Sequence, residues 1–152
     1  MIYIAHRGLT HGPNPEMENH PNQIAEAVKQ GYECEVDLWV KDGNLFLGHD
    51  EPRYQVNYTF LAVRPLWIHA KNIDALVWLQ NNRGKFNYFW HEEDRFTLTS
   101  EGYIWTYPGN ILTENSVCVL PEWNMSPEEL VRFNQKCHGV CSDYVGLMVK
   151  NI

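Results

Sequence analysis

Short apolar runs return at intervals along the whole chain, and most are too short for helices. They predict strands near residues 2–6, 33–39, 65–70, 86–90, 103–106, 117–120 and 138–142, with a brief β-segment at 45–48. Helical periodicity is scarcer. It marks Pro21 to Gln30 through Ile24, Ala27 and Val28, Ile73 to Gln80 through Ile73, Leu76, Val77 and Leu79, and Ser126 to Gln135. The last opens Ser126-Pro127-Glu128-Glu129, with Ser at the cap, Pro at the first helical position and Glu three residues on. Links such as His91 to Gly102 are too short or too polar for a crossover helix.

Within this pattern the stretch from Glu33 to Asp50, ECEVDLWVKDGNLFLGHD, carries the densest chemistry. Glu35 and Asp37 stand two apart in an apolar run, and residues i and i+2 of a strand face the same side. Two inward carboxylates repel unless a cation lies between them, so the pair points to a hard-metal site for Mg²⁺ or Ca²⁺. The alternative is an edge strand whose acids face water. Lys41-Asp42-Gly43 then signals a turn, and Leu45 to Gly48 carries the chain back so that a hairpin can return His49 toward the pair. At the other end of the sequence Ile2 to Ala5 reads as a buried strand delivering His6 and Arg7 to its C-terminal end, with Gly8 allowing a sharp turn.

The chain of 152 residues, 44% hydrophobic and 13% aromatic, carries no repeat or low-complexity segment, which bounds one domain over 1–152. A net charge of −7 excludes a general nucleic-acid binder, which needs a basic stripe. No basic region precedes a long apolar core, so neither signal peptide nor membrane span is expected and the location is expected to be cytoplasmic. Cys34, Cys118, Cys137 and Cys141 lack CxxC spacing and read as reduced core residues.

Five short motifs fall in order: His6-Arg7-Gly8, Glu18-Asn19, Glu35-x-Asp37, Lys41-Asp42-Gly43 and His49-Asp50. In this series, over its first third, the chain resembles the glycerophosphodiester phosphodiesterase family. Downstream, Ile68-His69-Ala70-Lys71 stands where that family has a Glu-x-Lys strand end, and Gly139-Val140-Cys141-Ser142-Asp143 is similar to its closing strand. The resemblance implies a TIM-type barrel and a metal-dependent phosphodiesterase. It implies His6 and His49 as general acid and base, each supplying a near-neutral pKa, and Arg7 and Lys71 as holders of the phosphate oxygens. Glu35 and Asp37 become metal ligands, Glu18 a support for the metal or for His6, and Asp143 a residue orienting Arg7 or a water. The family's third acidic ligand is His69 here, which favours a softer ion such as Mn²⁺ or Zn²⁺; alternatively Glu122, at the end of the VCVLPEW strand, supplies the missing oxygen. The expected cofactor is therefore a divalent ion, Mg²⁺ or Ca²⁺ foremost with Mn²⁺ or Zn²⁺ as alternatives, and the expected partner a small phosphodiester.

A (β/α)₈ barrel takes roughly 250 residues. The expected architecture is accordingly α/β, a compact or incomplete TIM barrel with several outer helices shortened or missing. Strands without covering helices leave apolar surface, and Tyr54, Tyr58, Phe60, Trp67, Trp78, Phe86, Tyr88, Phe89 and Trp90 are available to cover it or to pair across it, so a homodimer is expected. The polar segment from Trp90 to Arg95 reads as a substrate-contacting loop, with His91 or Glu92 meeting alcohol hydroxyls and Trp105 or Tyr107 forming an apolar wall.

Overall fold

The structure is a computed structural model that describes residues 1–149. Ten strands form one mixed sheet: β1 (Ile2–His6), β2 (Glu33–Lys41), β3 (Asn44–Leu47), β4 (Tyr54–Val56), β5 (Leu66–Ala70), β6 (Asn87–Phe89), β7 (Phe96–Leu98), β8 (Ile104–Thr106), β9 (Ser116–Val119) and β10 (Gly139–Ser142). Parallel ladders join β6 to β5, β5 to β2, β2 to β1, β1 to β10, β10 to β9 and β9 to β8. The hairpin partners β3 and β7 run antiparallel to β2 and β8, and β4 runs antiparallel to β3. β2 is the longest strand and the hub. Its first half pairs β1 on one edge and β5 on the other, and its C-terminal half extends past β1 to hold β3.

Among the described residues the helices are few and short: α1 (Pro21–Lys29), α2 (Tyr58–Ala62), α3 (Ile73–Asn81), α4 (Pro127–Val131) and α5 (Val145–Val149). This overturns the expected incomplete TIM barrel. That fold alternates strand and helix, whereas here β6 reaches β8 through the hairpin strand β7, β8 reaches β9 through a loop without a helix, and β2 reaches β5 through a second hairpin and a five-residue helix. The result is a curled mixed sheet, a half-barrel. A chain of 152 residues cannot supply a crossover helix for every parallel pair. The expected helix to Gln135 stops at Val131, its last turn tightened by i→i−3 bonds from Arg132 and Phe133.

Period-two alternation sorts the strand residues onto two faces. On the concave face Ile4, Trp67, Phe89, Trp105, Val117, Val119 and Cys141 form one buried cluster. Trp105 of β8 meets Trp67 of β5 at 5.8 Å and Phe89 of β6 at 4.8 Å between ring centroids, so the sheet is bent far enough for non-adjacent strands to touch. On the convex face Ala5, Cys34, Val36, Leu38, Ile68 and Val140 lie with Ile24 and Ala27 of α1 and Ala75 and Leu79 of α3. The gap of the curl is laced rather than laddered: the Ser100 N–H donates to the Tyr88 carbonyl at 2.7 Å, the Tyr88 N–H to Ser100 Oγ at 2.9 Å, and Thr97 Oγ1 to the Trp90 carbonyl at 2.9 Å.

Trp67, Phe86 and Phe89 are buried within the chain, while Tyr58 and Trp90 are exposed. The four cysteines are free thiols, Cys34, Cys118 and Cys141 buried and Cys137 half-buried. Among the described residues no helix is long and apolar enough to cross a membrane.

Candidate metal centre and catalytic cleft

The C-terminal ends of the parallel strands open onto a cleft of about 480 Å³, the end of such sheets where ligands bind. His6 and Arg7, Glu35 and Asp37, His49, His69 and Lys71 all line it, so six expected positions from four separate segments, together with His69, meet at one place.

β2 projects Glu35 and Asp37 inward, 2% and 1% exposed. Burial, and then the neighbouring Asp37 carboxylate, pushes the Glu35 pKa up. Asp37 goes the other way. Burial alone would raise it, but the His69 hydrogen bond and charge, the Arg7 guanidinium and the Asn19 amide outweigh burial and hold it well below the ordinary carboxylate range. Asn19 grips Asp37 twice, donating from Nδ2 to Oδ2 at 2.8 Å and accepting the Asp37 N–H at 2.9 Å. Arg7 Nε lies 3.4 Å from Asp37 Oδ2, its Nη1 donates to Glu18 at 3.0 Å, and its backbone N–H donates to Glu35 Oε2 at 3.2 Å. Glu18 thus supports Arg7.

His69, next strand over and in register with Asp37, puts Nδ1 3.2 Å from Asp37 Oδ1. Its ring stacks on Phe89 at 5.1 Å and 16°, and its Nε2 stands 2.9 Å from the His91 carbonyl. A carbonyl only accepts, so the proton is on Nε2. Nδ1 then turns a lone pair toward a carboxylate oxygen, and either a second proton or a cation has to lie between them. One ligand atom from each of Glu35, Asp37 and His69 lies within 4.8 Å of the others. Two carboxylates and an imidazole whose far nitrogen is committed to a carbonyl are a donor set that fits a divalent ion. Glu122 is elsewhere: its Oε1 accepts the Asp143 N–H at 2.9 Å.

His6 Nδ1 donates to Asp143 Oδ1 at 2.8 Å, which turns Nε2 toward Glu35 Oε2 at 3.8 Å. Burial opposes its charged form, but the Asp143 hydrogen bond and the Glu35 charge prevail and raise its pKa. Asp143 therefore orients His6 rather than Arg7. His49 reaches the cleft because the hairpin folds back tightly: the Gly48 N–H donates to the Asp37 carbonyl at 3.1 Å and the Trp39 indole donates to the Gly48 carbonyl at 2.7 Å. A Cβ at Gly48 would collide with the Glu51 carbonyl. His49 itself is half-exposed, with Nδ1 2.8 Å from Asp50 Oδ1. Lys71 is set by Asn72, which caps α3 through Ala75 and bridges to the Val40 backbone; the Lys71 Nζ lies 4.0 Å from Asp37 Oδ1.

The far wall is apolar and aromatic. Trp105 and Tyr107 line it, together with Leu120 and Trp123, which the sequence pattern did not single out. Tyr107 stacks on His91 at 4.3 Å and meets Trp123 at 6.1 Å. Burial lowers the His91 pKa, favouring the neutral ring. Among the described residues, three of the four non-glycine residues with positive φ belong to this region, Arg7 at 52°, Asn19 at 59° and Leu120 at 47°. Backbone strain of this kind gathers where geometry is held for function. Comparison with protein-family models, with curated proteins and with solved structures found no match to this chain.

Proposed function

We propose that this chain is a metal-dependent phosphodiesterase acting on a glycerophosphodiester or a related small phosphodiester. The observation that carries the reading is the convergence, in one cleft, of an Asp-oriented histidine, a second histidine, two cations and a Glu-Asp-His cluster. A general acid and base and positive charge around a phosphoryl group are what phosphodiester cleavage requires.

His6 is suited to donate a proton, because Asp143 and Glu35 favour its imidazolium form and Nε2 is left free of the Asp143 hydrogen bond. It protonates the leaving alkoxide. His49 takes the proton of the attacking hydroxyl or water. Arg7, pinned by Glu18 and Asp37, and Lys71 offset the negative charge that builds on the phosphoryl oxygens. A divalent ion held by Glu35, Asp37 and His69 would supply Lewis-acid polarisation of a phosphoryl oxygen. The aromatic wall of Trp105, Tyr107 and Trp123 receives the alcohol portion.

The test is hydrolysis of bis(p-nitrophenyl) phosphate and of glycerophosphocholine with Mg²⁺, Mn²⁺, Ca²⁺ or EDTA, beside His6→Ala and Glu35→Ala. Metal-dependent turnover that falls about 10²–10⁴-fold in His6→Ala supports the reading. A folded protein with no turnover under any of these metals removes it. Product analysis by ³¹P NMR decides between full hydrolysis and a reaction that stops at a cyclic phosphate.

A further inference from the structure

The Glu35–Asp37–His69 cluster differs from an all-oxygen site in one ligand, and the structure holds that ligand rigidly. The imidazole plane is fixed by stacking on Phe89, its register by the Asp37–His69 pairing of β2 with β5, and its tautomer by the His91 carbonyl at 2.9 Å from Nε2. Nδ1 is thereby presented to the carboxylate pair as a nitrogen donor, with Asp37 Oδ1 only 3.2 Å away. Neighbouring ligands of an ion with bonds of ~2.0–2.2 Å stand ~3 Å apart.

We propose that His69 makes this cluster selective for a first-row transition ion of the Mn²⁺, Co²⁺ and Zn²⁺ class over Mg²⁺ and Ca²⁺. Oxygen-only sites suit the hard alkaline-earth ions, whereas an imidazole adds a covalent preference that rises along the transition series. An imidazole also brings no negative charge to the ion, so the cluster offers two carboxylates rather than three, which weakens hold on Ca²⁺ most because that ion depends on charged oxygens. The His91 carbonyl acts as the orienting partner that metal-bound imidazoles characteristically have. The loop after β6 therefore takes part in ion choice through its backbone, and the aromatic wall above it shares His91 through the Tyr107 stack. The inference deepens the proposed function, resting on the same metal site but not on the reaction.

The experiment uses the full chain stripped with EDTA, titrated separately with MnCl₂, CoCl₂, ZnCl₂, MgCl₂ and CaCl₂. Binding is followed by thermal shift and calorimetry, and nitrogen ligation by the Co²⁺ visible spectrum and Mn²⁺ electron paramagnetic resonance. Co²⁺ is expected to bind at least ~100-fold more tightly than Mg²⁺, and His69→Glu to shrink that ratio at least ~10-fold. His69→Gln, neutral and similar in size, is expected to weaken Co²⁺ and Zn²⁺ ~10–100-fold without gaining Mg²⁺, and serves if the glutamate variant does not fold. Asp37→Asn with Glu35→Gln subtracts binding by histidines outside the cluster. Equal affinity for Mg²⁺ and Co²⁺, an unchanged ratio in folded His69→Glu, or no binding of any ion would each overturn the proposal. Selective Co²⁺ binding without phosphodiester turnover upholds it while removing the phosphodiesterase reading.

Discussion

The His6–Asp143 pair is where a single contact sets the state of the histidine buried in the cleft. Its 2.8 Å hydrogen bond fixes the tautomer, and together with Glu35 it raises the His6 pKa above the ordinary 6.5 despite burial. A histidine whose folded pKa is raised adds stability that is fully present below its unfolded value and fades as pH rises through the folded one. The stability gap between wild type and Asp143→Asn should therefore be largest near pH 6 and shrink toward pH 9, read as urea midpoints at each pH. In parallel, the alkaline limb of kcat/KM for bis(p-nitrophenyl) phosphate should move to lower pH in the variant. A gap that stays constant across this range would mean that Asp143 acts only through packing. Asn19 is another residue with such contacts, fully buried, in left-handed backbone at 59°, and bound twice to Asp37. Asn19→Ala leaves the Asp37 N–H unsatisfied in the interior and strains the backbone, for a loss of about 2–4 kcal/mol. Asn19→Gly keeps the first defect and relieves the second, so it should recover about 1 kcal/mol of that loss in denaturant titration.

At the scale of elements, the β2–β3 hairpin ties the carboxylate strand to His49, and its two glycines do different work. Asp42 and Gly43 both have positive φ, 50° and 77°, which suits a two-residue turn, and a Cβ at Gly43 would meet nothing. Gly43→Ala should cost about 1–2 kcal/mol from conformation alone and leave turnover unchanged. Gly48→Ala should instead displace the Gly48-His49 backbone, because its Cβ would strike a carbonyl that no side-chain rotation moves. The expected result is loss of turnover at least ~10-fold at concentrations where the protein remains folded, checked by assay beside circular dichroism. Much at this scale was readable in the chain itself. Strand alternation foretold that Glu35 and Asp37 face one way, and apolar runs located eight of the ten strands. β7 escaped because Phe96 to Leu98 are only three residues inside a link made polar by Glu92, Glu93, Asp94 and Arg95; in the fold Phe96 and Leu98 face outward, 46% and 69% exposed. β4 escaped because its three residues, Tyr54 to Val56, stand among polar neighbours, Glu51 and Arg53 before them and Asn57 after, rather than in an apolar run. The lining of the cleft was legible where strand ends carry it, at His6, Arg7, Glu35, Asp37 and His69. The arrangement was illegible where backbone carries it, as with the His91 carbonyl that fixes His69, and where partners lie far apart in sequence, as with Glu122 meeting the Asp143 N–H instead of the Glu35–Asp37–His69 cluster.

For the whole molecule the open question of physics is what keeps a half-barrel curled when its two ends share no ladder. Two devices are present. One is the filling: Trp105 touches both Trp67 and Phe89 across the concave face, at 2% exposure. The other is the seam, in which Ser100 exchanges hydrogen bonds with Tyr88 and also donates to the Phe86 carbonyl at 3.2 Å. Burial of large rings is worth several kcal/mol, while a half-exposed hydrogen bond contributes about 1 kcal/mol, so the filling should dominate. Trp105→Ala is expected to cost about 3–5 kcal/mol and Ser100→Ala about 1 kcal/mol or less, both from urea unfolding. The two should also differ in where they loosen the fold. Ser100→Ala should speed amide exchange at Tyr88 while leaving β1 and β2 protected, since it opens the curl locally. Trp105→Ala should speed exchange throughout β5, β6 and β8, because removing the shared ring undoes contacts on all three strands. If Ser100→Ala proved as costly as Trp105→Ala, the curl would have to be held by its seam, and the aromatic cluster would be a lining for the cleft rather than the support beneath it.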